Sequence, residues 1–187
     1  GIRLISDEIY HGITYGTKSE TVARLDENAI IINSFSKYFS MTGWRLGWII
    51  VPEELMRSIE CLSQNIFISS PTLSQYAGVE AFNSSEELLE NVERYTKNRE
   101  NLLKLLPSVG FSNIAPSDGA FYLYADITSL SDNSEVFCRR MLSEALVATT
   151  PGVDFDPFNG NRYIRFSFSG SEVDIITACE RLSNWKP

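Results

Sequence analysis

Three short apolar runs, each next to chemically reactive side chains, constrain most strongly how this chain can fold. The runs cover residues 2–6, 29–33 and 48–51, and none alternates strictly between apolar and polar positions. A lack of alternation is typical of strands buried on both faces, as in parallel or mixed α/β sheets. The sequence therefore predicts an α/β fold in which these runs are neighbouring strands.

Helix signals follow the third run. Pro52 opens one predicted helix, and a second begins after Pro71. Ser84 and Glu87 have the spacing of a capping box before a third, longer helix. At roughly 20 residues this helix is about 30 Å long, which is enough to link two domains.

The residues after the long helix predict a smaller α+β unit. We therefore predict that residues 1–84 belong to a large α/β domain, and that 85–187 form the linking helix and a small C-terminal domain. The predicted elements of the small unit are a strand over 119–126, a helix over 134–146 capped by Ser134, a strand over 162–168 and a helix over 171–184.

Composition excludes several classes of function. The chain has 16 Lys and Arg against 24 Asp and Glu, a net charge of −8, which disfavours nucleic-acid binding. No apolar run is long enough to cross a membrane. Cys61, Cys138 and Cys179 are widely spaced and His11 is the one histidine, so no metal site is expected. Reduced thiols are typical of a cytoplasmic protein.

The first residues predict that this chain is a partial one. It opens with Gly-Ile-Arg-Leu-Ile-Ser-Asp, has no initiator methionine, and starts inside a predicted strand. Domains usually begin at exposed, flexible segments. We therefore expect these residues to be part of a longer protein.

Polar and charged side chains lie next to the ends of all three runs. Ligands of open α/β sheets bind beyond the carboxyl ends of the strands, so these groups are expected to converge on one crevice. Taken singly, each has an ordinary explanation as a turn residue, a packed aromatic or a solvated charge; the combination favours a binding site. The residues are Asp7 and Tyr10 after the first run, Ser34, Ser36 and Lys37 after the second, and Arg45 before the third.

Pyridoxal 5'-phosphate (PLP) requires this combination of groups. Its aldehyde forms a Schiff base with a lysine, and its pyridine nitrogen needs an acidic partner. Its phenolate oxygen accepts a hydrogen bond, and its phosphate binds hydroxyl donors and a planar guanidinium. The candidates are Lys37 for the aldehyde, Asp7 for the nitrogen, Tyr10 for the phenolate oxygen, and Ser34, Ser36 and Arg45 for the phosphate.

The same motifs resemble those of the class I/II aminotransferases, which are fold type I PLP enzymes. The matching motifs are Asp7-x-x-Tyr10, the string over 34–47, and the later segments 118–122 and 162–167, so the resemblance covers essentially the whole chain. It implies a PLP-dependent transferase-like fold, with this chain as the C-terminal half of the large α/β domain plus the small α+β domain. It also implies a homodimer.

The resemblance assigns the residues to the same cofactor roles, with Lys37 as the Schiff-base lysine. It adds Arg165 as the residue that binds the substrate α-carboxylate, and it puts Gly119 near the substrate. The strand pattern agrees for Arg165, because Ile164, Phe166 and Phe168 share one face while Arg165 is on the other. Arg165 is thus expected to point away from the apolar core.

The implied reaction is transfer of an amino group from an amino acid to a 2-oxo acid, with Lys37 moving the proton. General resemblance favours aspartate or aromatic substrates. Two alternatives stay open: another PLP reaction on the same scaffold, such as a β-lyase or decarboxylase, and an inactive folded fragment. The cofactor residues alone do not separate these reactions, because the protein environment decides which bond breaks.

Overall fold

A computed structural model describes residues 1–186, and these form two compact units. The first unit is Gly1–Glu90, and the second begins at Asn91. The division falls within a long helix, α3, which covers Ser85–Leu105. The assignment of residues 1–84 and 85–187 to separate domains stays a prediction.

The first unit contains a three-stranded mixed sheet built from the three apolar runs. Strand β1 covers Ile5–Asp7, β2 covers Ile30–Ser34 and β3 covers Gly47–Ile50, in the order β1-β2-β3. β1 pairs with β2 in parallel, and β2 pairs with β3 antiparallel. The prediction that the runs are neighbouring strands of one sheet is therefore confirmed.

The prediction that these strands are buried on both faces is wrong for residues 1–186. Ile31 is buried, with 2% of its surface exposed. On the other face Ile5, Ile32 and Ile49 are 60%, 39% and 41% exposed. The apolar runs therefore carry more hydrophobic surface than the described residues cover.

Two helices of the first unit begin where proline predicts. Helix α1 covers Glu53–Ile66 directly after Pro52, and α2 covers Thr72–Ala81 directly after Pro71. The fixed φ angle of proline suits the start of a helix. Within residues 1–186 no helix is long and apolar enough to cross a membrane.

An aromatic cluster centred on Phe35 contributes to the packing of the first unit. This residue follows β2 directly and is 6% exposed. Its ring centre lies 4.8 Å from that of Phe39, 5.1 Å from Trp48 and 5.5 Å from Phe82. Edge-on aromatic pairs at such distances add to the stability that burial provides. The segment after β2 is thus anchored to the core at its first residue.

The second unit packs helices on a three-stranded antiparallel sheet. β6 lies between β4 and β5, and its inner face carries Ile164 and Phe166, which are 0% and 4% exposed. The ring of Phe111 packs edge-on against Phe166 at 5.3 Å. The elements are β4 (Tyr122–Asp126), α4 (Ser134–Arg140), β5 (Thr150–Pro151), β6 (Tyr163–Ser167) and α5 (Glu172–Asn184).

The helix predicted over 134–146 differs from the observed one at both ends. Ser134 does not cap it: the N-cap is Asn133, whose side-chain oxygen accepts a hydrogen bond from the backbone N–H of Val136 at 3.0 Å. Ser134 is already helical and fully buried. The α-helix ends at Arg140, and a wider π-helical turn continues it over Met141–Ala145.

Replacing Asn133 or Ser134 by alanine tests which of the two residues is the N-cap of α4. Asn133→Ala is expected to lower the free energy of unfolding by about 1 kcal/mol, because it removes the acceptor for a helix N–H. Ser134→Ala is expected to be neutral or slightly stabilising, because the buried Ser134 Oγ has no hydrogen-bond partner. Urea unfolding of both variants measures this, and the reverse order of effects would contradict the cap assignment.

Candidate functional site

Strand pairing brings the predicted cofactor residues of the first unit to one edge of the sheet. Asp7 is the last residue of β1 and Ser34 the last of β2, and the two strands run parallel. Gly47 opens the antiparallel strand β3 and pairs with Ser34, so Arg45 lies two residues before that same edge. Asp7, Ser34 and Arg45 therefore lie at one edge of the sheet, and the convergence of all the candidate side chains on one crevice stays a prediction.

Hydrogen bonds fold the loop between β2 and β3 back on itself. Ser34 Oγ accepts from the backbone N–H of Ser36 at 3.0 Å and lies 3.4 Å from the carbonyl of Leu46, to which it donates. Thr42 Oγ1 donates to the carbonyl of Ser36 at 2.7 Å, and Arg45 Nη1 donates to the carbonyl of Thr42 at 2.9 Å. Ser34 thus has an evident role in holding the loop.

Arg45 has a backbone conformation that side chains rarely adopt. Its φ angle is 51°, in the left-handed region, which costs a non-glycine residue about 1–2 kcal/mol. Strain of this kind is found where a loop must present a side chain in one direction. The side chain of Arg45 is exposed at the sheet edge.

The amine and phenol of the predicted site lie close together. The Nζ of Lys37 is 5.5 Å from the ring centre of Tyr10, and both residues are half-buried. The exposed side chain of Asp7, three residues before Tyr10, accepts a hydrogen bond from the backbone N–H of Ile9 at 3.3 Å. Together with the hydroxyls and guanidinium of the neighbouring loop, these donors and acceptors fit the groups of PLP.

Glu8 holds the segment that carries Asp7 and Tyr10. Its side chain is buried, and its Oε1 accepts from the backbone N–H of Val22 at 2.9 Å. Its backbone N–H donates to the carbonyl of Ile32 at 2.8 Å, which extends the pairing with β2. A buried carboxylate is stable only when it is paired or hydrogen-bonded. These hydrogen bonds therefore stabilise the buried Glu8 carboxylate and also anchor the segment that follows β1.

The pKa of Glu8 lies below its usual value of 4.5. Burial acts to raise the pKa, but hydrogen bonds from the Val22 N–H and the Thr21 hydroxyl, together with the charge of His11, lower it by more. His11 Nδ1 lies 3.3 Å from Glu8 Oε2. His11 thus contributes to the set of polar groups around the buried Glu8 carboxylate.

In the second unit, Arg165 lies on the outer face of β6. Its guanidinium carbon is 4.1 Å from the ring centre of Tyr122 and 4.3 Å from that of Phe155. Its Nη2 donates to Thr150 Oγ1 at 3.5 Å, and its buried Nε has no hydrogen-bond partner. As expected from the alternation along the strand, the neighbouring Ile164 faces the core.

Gly119, predicted to lie near the substrate, is a half-buried residue of the segment before β4. The residue after it, Ala120, has a left-handed φ angle of 58°. This turn leads into Tyr122, the first residue of β4 and one of the two rings against Arg165.

Comparison with known proteins identifies the family. The sequence profile "Aminotransferase class I and II" matches residues 1–182. A valine–pyruvate aminotransferase of Mycobacterium tuberculosis is 44% identical over 100% of this chain and 49% of its own length. A (5-formylfuran-3-yl)methyl phosphate transaminase of Methanocaldococcus jannaschii is 37% identical over 97% of this chain and 49% of its own length.

Solved structures agree with the sequence matches. The crystal structure of a putative aminotransferase from Silicibacter pomeroyi superposes with a TM-score of 0.94 at 49% identity, covering 97% of this chain and 49% of that one. An aminotransferase from Mycobacterium tuberculosis gives a TM-score of 0.96 at 44% identity, covering 100% and 49%.

The chain belongs to the class I and II aminotransferase family. The predicted fold class, α/β of the PLP-dependent transferase type, is confirmed by these matches. The chain spans about half the length of the curated relatives it matches. The role of each site residue in this aminotransferase chain stays a prediction.

Two residues that hold or contact candidate site residues carry no signal in the sequence: Glu8 in the first unit and Phe155 in the second. Glu8 stands between the predicted residues Asp7 and Tyr10, and nothing local to it indicates that a charged side chain is buried. Phe155 lies ten positions before Arg165 in an irregular segment, so no periodicity connects the two. Within residues 1–186, no three His, Cys, Asp or Glu side chains cluster as metal ligands.

The low pKa of Glu8 predicts a specific dependence of stability on pH. Because the folded pKa is depressed, ionised Glu8 stabilises the fold above pH 4.5, and this stability is lost as the pH falls through the lower, folded pKa. Glu8→Gln is expected to cost about 1–3 kcal/mol at pH 6, and the difference from the native chain should shrink as the pH is lowered below 4.5.

Urea unfolding at a series of pH values measures this difference. The matched control is Glu20→Gln, because the Glu20 side chain is 69% exposed and pairs with Arg24 on the surface. It should change stability little at any pH. A constant difference between native and Glu8→Gln from pH 6 to below 4.5 would contradict the assignment.

Proposed function

We propose that this chain provides the cofactor lysine and the substrate-binding arginine of a PLP-dependent aminotransferase, which transfers an amino group from an amino acid to a 2-oxo acid. The observation that carries the proposal is the position of Lys37. Its amine lies beside the Tyr10 ring, in the loop that follows β2, where the sheet edge also carries the carboxylate of Asp7.

Each residue at the sheet edge has a chemical role in this proposal. PLP, when bound, supplies an electron sink that makes the bonds at the substrate Cα easier to break. Lys37 would hold the cofactor covalently and would move the proton at the substrate Cα. Asp7 would hold the pyridine nitrogen in its protonated form, and Tyr10 would donate to the phenolate oxygen. Ser34, Ser36 and Arg45 would bind the phosphate.

Arg165 binds the α-carboxylate of the substrate. A guanidinium presents its N–H groups in a planar fork that matches the two oxygens of a carboxylate. The buried Nε of Arg165 has no partner within the described residues, which supports a role in binding an anion. Gly119 is proposed to lie near the substrate by the same family resemblance.

The relatives suggest which substrates to try. The relative at 44% identity is a valine–pyruvate aminotransferase, which favours an apolar amino donor and pyruvate as acceptor. Aspartate aminotransferases match at 31% and 34% identity, and these support the expectation of an aspartate substrate. We propose the apolar donor first, because the identity to the valine–pyruvate relative is higher.

The proposal concerns the full-length protein. The chain spans about half the length of its curated relatives. We therefore propose that it is the C-terminal portion of a longer polypeptide, and that the full-length protein is a cytoplasmic homodimer. β-Lyase and decarboxylase reactions use the same cofactor contacts and remain the alternatives, as does an inactive fragment. An assay that depends on the amino acceptor separates transamination from the other two reactions.

The cofactor assignment predicts a covalent bond to one lysine. Full-length protein is incubated with PLP, treated with borohydride to reduce the Schiff base, and digested. The masses of the peptides are then measured by mass spectrometry. The peptide with Lys37 is expected to carry the cofactor. Lys37→Ala should abolish the labelling, whereas the control Lys18→Ala, which removes an exposed loop lysine, should leave it unchanged. Labelling that persists in Lys37→Ala would refute the assignment.

The reaction assignment predicts that turnover needs both substrates. L-Valine, L-aspartate and L-phenylalanine are each tested with pyruvate and with 2-oxoglutarate, and both products are measured. Sustained formation of a new 2-oxo acid is expected only when an acceptor is present, and Arg165→Lys is expected to raise KM by about tenfold or more. Turnover of the amino acid without any acceptor would favour a lyase or decarboxylase instead.

A further inference from the structure

We infer that Phe155 is a positioning residue: together with Tyr122 it clamps the guanidinium of Arg165 and so holds it in the orientation in which it meets a substrate carboxylate. The inference rests on the proposed role of Arg165. It adds a residue outside the sheet to the set that determines how the substrate is oriented.

Two aromatic rings pack against the guanidinium of Arg165. The ring centre of Tyr122 lies 4.1 Å, and that of Phe155 4.3 Å, from the guanidinium carbon. Both distances are short enough for a cation–π contact, so the charged group contacts one ring from the sheet and one ring from outside it. Thr150 Oγ1 accepts a hydrogen bond from Arg165 Nη2 at 3.5 Å.

The two rings are held by different kinds of structure. Tyr122 is on β4, where Tyr124 is the direct partner of Arg165, so Tyr122 is a diagonal neighbour on the same sheet face. Phe155 comes from the irregular segment between β5 and β6. The sheet therefore sets one side of the clamp, and the segment sets the other.

Close packing makes the segment that carries Phe155 a fixed turn. Gly152 approaches Gly160 so closely that a Cβ on Gly152 would lie 2.4 Å from the Gly160 carbonyl oxygen. The backbone N–H of Phe155 donates to the carbonyl of Gly152 at 2.9 Å. The side chain of Asp156 accepts from the N–H of Phe158 at 2.8 Å. These contacts order the backbone on both sides of Phe155.

The clamp has two physical consequences for binding. It removes rotations of the Arg165 side chain that would otherwise be lost when the carboxylate binds, so less entropy is lost on binding. It also holds the guanidinium in place, because a cation is attracted to the face of an aromatic ring. Both effects act on substrate binding and orientation, and neither involves a proton transfer.

The test replaces the ring and keeps an apolar side chain of similar size. Phe155→Leu in the full-length enzyme is expected to raise KM for the amino donor about three- to tenfold and to change kcat less than about twofold. Phe155→Tyr, which restores the ring, should return KM to within about twofold of the native value. The matched control is Phe158→Leu, three residues further on in the same segment, whose side chain is 92% exposed.

A second readout reports on the clamp without catalysis. The Nε–Hε resonance of Arg165 is assigned by its loss in Arg165→Lys, and ring currents are expected to shift it upfield in the native enzyme. Phe155→Leu should move it back downfield, and Phe158→Leu should leave it in place.

The outcomes separate this inference from the proposed function. If Arg165→Lys raises KM but Phe155→Leu leaves either KM or the resonance unchanged, the clamp is refuted and the role of Arg165 stands. Equal effects of Phe155→Leu and Phe158→Leu, or a fall in kcat as large as the rise in KM, also refute the clamp. If Arg165→Lys has no effect on KM, the proposed role of Arg165 fails and the inference fails with it.

Discussion

The parallel pairing of β1 with β2 is the interaction on which the candidate cofactor site depends. Because the two strands run in the same direction, Asp7 and Ser34 end at the same edge of the sheet. Antiparallel pairing would have placed them at opposite ends. At the same edge β3 approaches β2 closely. A Cβ on Gly47 would lie 2.7 Å from the carbonyl oxygen of Asn33, so this position suits glycine.

The segments after β1 and β2 are held by buried anchors rather than by the sheet alone. Glu8 ties the segment after β1 to Val22, and Phe35 ties the loop after β2 to the aromatic core. Tyr10 follows the first of these anchors by two residues, and Lys37 follows the second by two residues. Segments that are ordered before binding lose less entropy when a ligand binds.

The sequence predicted the elements well where the signal is local. Apolar runs and proline positions identified all three strands of the first unit and the starts of α1 and α2, because these signals depend on neighbouring residues. The cap of α4 was assigned one residue too late, since Asn133 and Ser134 are both good caps and burial of Ser134 decides between them. The two-residue strand β5 carries no periodicity to detect.

Contacts such as that of Phe155 with Arg165 depend on tertiary structure, which no local pattern encodes.

A crystal structure of the full-length protein with PLP tests the central claim most directly. The expected result is continuous density from Lys37 Nζ to the cofactor, with the pyridine nitrogen within hydrogen-bond distance of Asp7 and the phosphate bound by Ser36 and Arg45. A cofactor attached to another lysine, or one bound away from the carboxyl ends of β1 and β2, would contradict it.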